Sequence, residues 1–356
     1  MGFTVQKAGM CTTVQDRGRF GYMDSGFSPS GVMDKRAYRL ANLLVENGSE
    51  DPVLEFVLAG PTLRFTTDTI IAITGGDFSP VINGKHVGMY KAIRIRRGDI
   101  LQLDAARSGM FGYLAVAGGG VRVPEVMGSR STNLKCEIGG YQGRALENGD
   151  YIPFVTHTVD YIANLASHTI DADAEFPQKD GKIDLRVILG PQDQMFTAKG
   201  IETFLGEEFE TTAHSDRMGY RLAGPKVETV GGSDIISDGI VFGAIQIPSD
   251  GKPIIMLSDR QTTGGYAKIA TIASVDIPKL VQARPGTKVR FTPISIYEAQ
   301  DLIRAEAREY SKLAKHIKRP ARGDVSPRRT ARRLTPFLIK QSVRADTERK
   351  WIRTKE

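Results

Sequence analysis

Three short polar clusters, each framed by glycine, hold the residue types that could do chemistry in this chain. The fullest is SDRQTTGGYAKIA at 258–270, directly after the apolar run PIIML. It sets Asp259 and Arg260 beside Gln261, Thr262 and Thr263; Gly264 and Gly265 then let a backbone approach a ligand closely, ahead of Tyr266 and Lys268. Polar side chains at the end of a core strand make a ligand rim, although the same residues could close a hydrogen-bonded turn. The second cluster, SDRMGYRL at 215–222, places Asp216, Arg217, Tyr220 and Arg221 close together. Guanidinium forks hold carboxylate, ureido or phosphate oxygens in pairs, but Asp216 pairing with Arg217 or Arg221 would serve a loop as well. The third, TTVQDRGRFGYMDSG at 12–26, gathers Gln15, Asp16, Arg17 and Arg19 ahead of SGVMD at 30–34, and reads first as a turn with a surface salt bridge. The glycine-rich stretch 128–146 adds Arg130, Ser131, Thr132 and Arg144.

Several standard engines are missing from the sequence. No G-x-x-x-x-G-K-[ST] phosphate loop and no G-x-S-x-G nucleophile turn occurs. His86, His157, His168, His214 and His316 are scattered without zinc-site spacing, so no metal is expected. There is no Met-Lys dipeptide of the kind that carries biotin, so no covalently bound cofactor is expected.

The elements that must position these clusters are mostly short strands. Leu54, Phe56 and Leu58 alternate with their neighbours, as do Ile93 with Ile95 and Val289 with Phe291; the apolar runs at 70–73, 113–117 and 254–257 suit strands buried on both faces. Turn signals at 82–84, 96–99, 147–150 and 249–251 point to β-barrels rather than a βαβ array. Helices are expected at about 33–46, with Asp34 at its start and Asn47-Gly48 as its left-handed stop, and at 276–283 with Asp276 as cap. A third should follow the Ser295/Glu298 capping box, burying Ala299, Leu302, Ile303, Tyr310, Leu313 and Ala314 until Pro320. A linker at about 156–183 separates two β-rich halves that echo each other weakly, DRGRFGY at 16–22 against DRMGY at 216–220.

The chain has 356 residues, enough for two domains, with 40% hydrophobic and 25% charged residues. Its net charge of +7 is unevenly placed. Residues 317–356 hold 13 basic and 4 acidic side chains, while the remainder holds 35 against 37. The body is therefore near neutral and the excess lies in a tail too poor in apolar residues to order itself, so nucleic acid is an expected partner only through that arm, if at all. No apolar run suggests a membrane span. Asp16, Arg17 and Arg19 interrupt any leader core, and Cys11 and Cys136 lie far apart, which together suggest a reducing cytoplasm with no disulfide.

TTVQDRGRFGY, SGVMD, ANLLVENG, LEFVLAGPTLRF, YLAVAGG, GSRST, SDRMGYRL, GAIQIPSDGKPI and SDRQTTGGYAKIA, in this order over about residues 3–300, resemble the KipA / allophanate hydrolase subunit 2 family. Its members are described as carboxyltransferase-like proteins or as the C subunit of 5-oxoprolinase. SGVMD replaces the usual SGAMD, and Phe111 stands where an arginine-containing variant is common. The resemblance implies a mainly β chain of two tandem cyclophilin-like β-barrel domains, 1–160 and 161–316, followed by the basic, disordered tail 317–356. It implies work beside KipI-like and LamB/YcsF-like subunits in an ATP-dependent 5-oxoprolinase, which opens 5-oxo-L-proline to L-glutamate. It leaves two alternatives open: carboxyl transfer from carboxybiotin to urea or a similar small amide, and regulatory capture of a KipI-like kinase inhibitor. Carried over by position, the catalytic set is Asp216, Arg217, Asp259 and Arg260. The substrate-binding set is Tyr220, Arg221, Gln261, Thr262, Thr263, Gly264, Gly265 and Tyr266. On this reading Arg217 or Arg260 takes a substrate carboxylate or phosphorylated oxygen, Asp216 or Asp259 orients that guanidinium or moves a proton, and replacing Arg260 with Ala silences the complex.

Overall fold

The computed structural model describes residues 1–155, 168–171 and 181–317. Most of the expected linker and the whole 318–356 segment lie outside the described residues, and so does the Pro320 helix stop. Met1–Ser311 forms one compact unit.

Residues 2–153 build two antiparallel sheets. One orders β11 (Tyr151–Pro153), β1 (Gly2–Lys7), β4 (Thr62–Phe65), β9 (Ile100–Gln102), β6 (Val81–Ile82) and β7 (Lys85–His86). The other orders β2 (Thr12–Gln15), β3 (Val53–Val57), β10 (Ser108–Val116), β5 (Thr69–Asp77) and β8 (Ala92–Ile95). Phe3, Val5 and Phe65 of the first sheet share one core with Phe56, Ile73 and Leu114 of the second. The side chains between these, such as Ala72, Thr74, Tyr113 and Ala115, point to the other face, where helix α1 (Lys35–Leu44) packs on β5 and β10. That burial on both faces is why β5 and β10 read as continuous apolar runs.

Asp34 is the N-cap of α1, accepting from the Ala37 amide at 2.9 Å. The left-handed residue at the far end is Glu46 (φ 53°), not the expected Asn47-Gly48. Paired bonds from the Asn47 amide to the Asn42 carbonyl and from the Glu46 amide to the Leu43 carbonyl place the turn one residue earlier. The Asn47 side chain ties this end to the Val116 carbonyl and the Gly119 amide.

Residues 182–293 form a closed barrel, in the order β12 (Lys182–Leu189), β19 (Lys268–Ile272), β16 (Ala244–Gln246), β17 (Ile254–Met256), β14 (Gly219–Ala223), β13 (Phe209–Thr211) and β20 (Lys288–Pro293). Closure removes the exposed edges that would invite pairing with another chain. Helix α2 (Ala198–Gly206) seats Phe204 against Phe291, ring centroids 4.5 Å apart and stacked, beside Phe209. A separate ribbon pairs β15 (Asp234–Gly239) with β18 (Thr263–Tyr266).

Helix α3 (Ile277–Val281) lies where expected, but Asp276 makes no side-chain cap. Fully buried, its carboxylate instead takes the Arg186 guanidinium through two oxygens, at 2.8 and 2.7 Å, and Lys279 at 2.8 Å. Helix α4 (Ile296–Ile317) opens with the expected capping box, the Ser295 amide and hydroxyl donating to Glu298 at 2.7 and 2.8 Å. Ala299 is buried in it, whereas Ile303 is 47% exposed. Cys11 and Cys136 are free, and no helix among the described residues is long and apolar enough to cross a membrane.

Polar bonds join the sheet pair to the barrel. The Ser28 hydroxyl donates to the Ser258 carbonyl at 2.9 Å, and the Ser258 hydroxyl to the Val32 carbonyl at 3.1 Å. Gln282 bridges Asp34 and the Phe111 backbone, its amide donating at 2.9 and 3.0 Å while its oxygen accepts from the Phe111 amide at 3.0 Å.

Candidate active site

A cavity of about 420 Å³ opens at this seam, within the range of small-molecule sites. Leu58, Met110, Phe111, Leu134 and Met218 supply apolar wall, and Glu55, Arg217 and Asp259 supply charge. The two S-D-R triplets converge because β14 and β17 are antiparallel neighbours. Arg217 precedes β14 and Asp259 follows β17, so both lie at the same barrel end, and the Asp259 amide donates to the Arg217 carbonyl at 2.8 Å. Glu55 comes from the sheet side. In register across four strands, Thr13, Glu55, Tyr113 and Thr74 form a polar row on the face away from the sheet-pair core.

Arg217 is the hub. Its Nε donates to Asp259 Oδ2 at 2.8 Å, its Nη2 to Asp259 Oδ1 at 3.3 Å and to the Gly31 carbonyl at 2.7 Å, and its Nη1 to Glu55 Oε1. Gly31 can offer that carbonyl because its φ of 84° and its approach to the Arg17 backbone exclude a Cβ, which would lie 2.8 Å from the Arg17 carbonyl. Glu55, 2% exposed, also accepts from the Met33 amide at 2.8 Å and from the Tyr113 hydroxyl. Burial pushes the Glu55 carboxyl above its ordinary range, partly offset by Arg217. Burial alone would lower the Arg217 pKa, but Asp259 and Glu55 more than reverse that. Two carboxylates around one cation leave the site short of positive charge and rich in acceptors. Burial also raises the Cys11 thiol at the cavity wall, favouring its neutral form.

The expected residues divide among several places. Arg217, Asp259, Tyr220 and Asp216 line the large cavity. Asp216 does not orient Arg217; its Oδ1 accepts from the Met218 and Gly219 amides at 2.8 and 3.1 Å and shapes the turn. Tyr220 spends its hydroxyl on the Val281 carbonyl at 2.9 Å. Arg221, Gln261, Gly264, Gly265 and Tyr266 line a second, smaller hollow of about 190 Å³, which shares the Asp216 and Met218 wall. A Cβ at Gly264 would meet Ile240 Cδ1 at 2.6 Å and Gln246 Nε2 at 2.8 Å, so a larger residue there would have to displace these two side-chain ends. Thr262 and Thr263 line neither; they hold the ribbon through the Ile240 amide and the pairing with Gly239.

Arg260 also lies outside both linings. It is buried, and its Nε donates to the Ile240 carbonyl at 2.9 Å, with its guanidinium 5.9 Å from the Phe242 ring. With no carboxylate partner among the described residues, burial lowers its pKa to about 10. In the first cluster, Asp16 is a structural anchor rather than half of a surface pair. It accepts from the Gly18 and Arg130 amides and the Ser129 and Ser131 hydroxyls, pinning the 129–131 loop, while the exposed Arg17 pairs with Glu50 at 2.6 Å.

Sequence reasoning missed Glu55, although it sits within the quoted LEFVLAG motif. The available signal was a carboxylate inside an otherwise apolar core strand, VLEFV. Thr13 and Lys135 also line the cavity and carried no comparable signal. Among the described residues, no group of three or more His, Cys, Asp or Glu side chains is placed to hold a metal ion.

This combination of a closed barrel and a sheet pair has counterparts among solved structures. The urea amidolyase of Kluyveromyces lactis superposes with a TM-score of 0.79 and 32% identity, over 88% of this chain and 20% of its own. Residues 25–293 match the model of the carboxyltransferase domain, subdomain A and B, and the chain belongs to that family. It is 37% identical to the 5-oxoprolinase C subunit of Haemophilus influenzae, over 82% of this chain and 91% of the relative. It is 36% identical to the 5-oxoprolinase C subunit of Escherichia coli, over 86% and 96%. The urea amidolyase of Lachancea kluyveri is 35% identical over 84% of this chain, which spans 17% of that protein.

Proposed function

We propose that this chain is the C subunit of an ATP-dependent 5-oxoprolinase, acting in the cytoplasm with KipI-like and LamB/YcsF-like subunits to convert 5-oxo-L-proline to L-glutamate. The observation that carries this reading is the match along 91% and 96% of two bacterial 5-oxoprolinase C subunits. The seam cavity supports it. A lactam ring is flat and largely apolar on its faces, which suits walls of Met110, Phe111 and Met218, and its N–H needs an acceptor. Asp259, aimed by the Arg217 fork, provides one, and the Thr13 hydroxyl is a neutral donor or acceptor nearby. With Arg217 fixed by its two carboxylates, Asp259 is held in place as an acceptor for the amide N–H before the reaction begins. ATP is a co-substrate of the whole complex. The division into two tandem cyclophilin-like barrels, 1–160 and 161–316, is part of the same proposal.

The match to urea amidolyase favours one second reading, carboxyl transfer to urea or a related amide with carboxybiotin supplied from elsewhere. One experiment separates the two. The chain is co-purified with its neighbouring subunits, and ATP consumption is assayed with 5-oxoproline and with urea. Glutamate release with 5-oxoproline is the expected result; activity only with urea and a biotin carrier overturns the proposal.

A further inference from the structure

We infer that Lys135 is the residue that selects a carboxylate-bearing amide for the seam cavity, an inference that rests on the lactam reading above. Four of the five N–H groups of Arg217 are already committed, to Asp259, Glu55 and the Gly31 carbonyl. A substrate carboxylate arriving there would face two carboxylates and one remaining N–H, so it is repelled where the amide N–H is welcomed. The other cation on the cavity lining is Lys135. Its side chain is exposed and has no hydrogen bond or ion pair among the described residues.

The backbone that carries Lys135 is fixed. Asn133 and Ile138 exchange amide–carbonyl bonds at 2.9 and 3.3 Å, the Cys136 amide donates to Asn133 Oδ1 at 2.9 Å, and the buried Asp16 carboxylate anchors Ser129, Arg130 and Ser131 just upstream. The cavity thus presents the Glu55 and Asp259 acceptors and one free ammonium on the same lining. That combination suits a ligand whose carboxylate sits on the carbon next to its amide N–H, as in 5-oxoproline: the ammonium offsets the repulsion between that carboxylate and Asp259, which a neutral amide does not meet.

The test measures kcat and KM of the reconstituted complex for 5-oxo-L-proline, and binding of 5-oxo-L-proline and 2-pyrrolidinone to the full chain by calorimetry. 2-Pyrrolidinone is the same lactam without the carboxylate. Lys135→Met should raise KM for 5-oxoproline roughly ten- to hundred-fold with little change in kcat. It should also abolish the preference for 5-oxoproline over 2-pyrrolidinone, and Lys135→Arg should restore it. A wild-type complex that turns over 5-oxoproline, with Lys135→Met keeping the same KM and preference, overturns the role of Lys135 alone. A wild-type complex with no 5-oxoproline turnover overturns the underlying reading as well.

Discussion

Two identical S-D-R triplets end up in opposite circumstances. In Ser215-Asp216-Arg217 the aspartate closes its own turn and the arginine reaches across the seam. In Ser258-Asp259-Arg260 the aspartate faces the cavity and the arginine folds onto backbone carbonyls. The ion pair at the cavity, Arg217 with Asp259, is thus assembled from one member of each triplet. Both guanidiniums are largely withdrawn from solvent, yet one has its pKa raised by carboxylates and the other has it lowered by desolvation. Burial alone does not mark a site. A site arises where the fold brings an opposing charge across a seam and leaves a cavity beside it.

The largest effect should come from breaking the seam cluster. Arg217→Met strands Glu55 and Asp259 without their cation and should cost about 3–5 kcal/mol in denaturant unfolding. Adding Glu55→Gln should recover part of that loss; strictly additive losses would mean the two side chains do not act as a unit. Next comes a charged pair remote from the cavity. Asp276→Asn removes the bidentate partner of Arg186 and should cost about 3 kcal/mol at neutral pH. Although burial would raise the Asp276 carboxyl, hydrogen bonds from Arg186 and Lys279 hold it below the usual range. A depressed native pKa gives stability that is present above the unfolded value and lost as pH falls through the native one. The deficit of Asp276→Asn should therefore shrink in acid; a constant deficit down to about pH 2 would contradict the pairing. Arg260→Met is the smallest of the three. It leaves the Ile240 and Leu257 carbonyls without their donor but also removes an uncompensated buried cation, so a loss of no more than about 1–3 kcal/mol is expected in thermal or denaturant melts.

Much of the architecture was legible in the chain. The runs at 70–73 and 113–117 are strands covered on both faces, and the Ser295/Glu298 box starts a helix, because patterning and capping act locally. The site was legible only in part. Arg217 and Asp259 were among the residues singled out, but their mutual pairing depends on β14 and β17 being neighbours, which no local pattern encodes. Glu55 was hidden for the same reason, since its partner lies 162 positions away in the chain. Arg260 drew attention through residue type and glycine neighbours, features that a barrel-closing turn shares with a ligand rim.

The most direct test compares Asp259→Asn with Arg260→Met in the reconstituted complex, following glutamate release from 5-oxoproline. If the seam cavity holds the reacting amide, Asp259→Asn should reduce kcat/KM by at least about a hundred-fold, while Arg260→Met stays within about three-fold of wild type. Equal losses, or a silent Asp259→Asn beside an inactive Arg260→Met, would contradict the account.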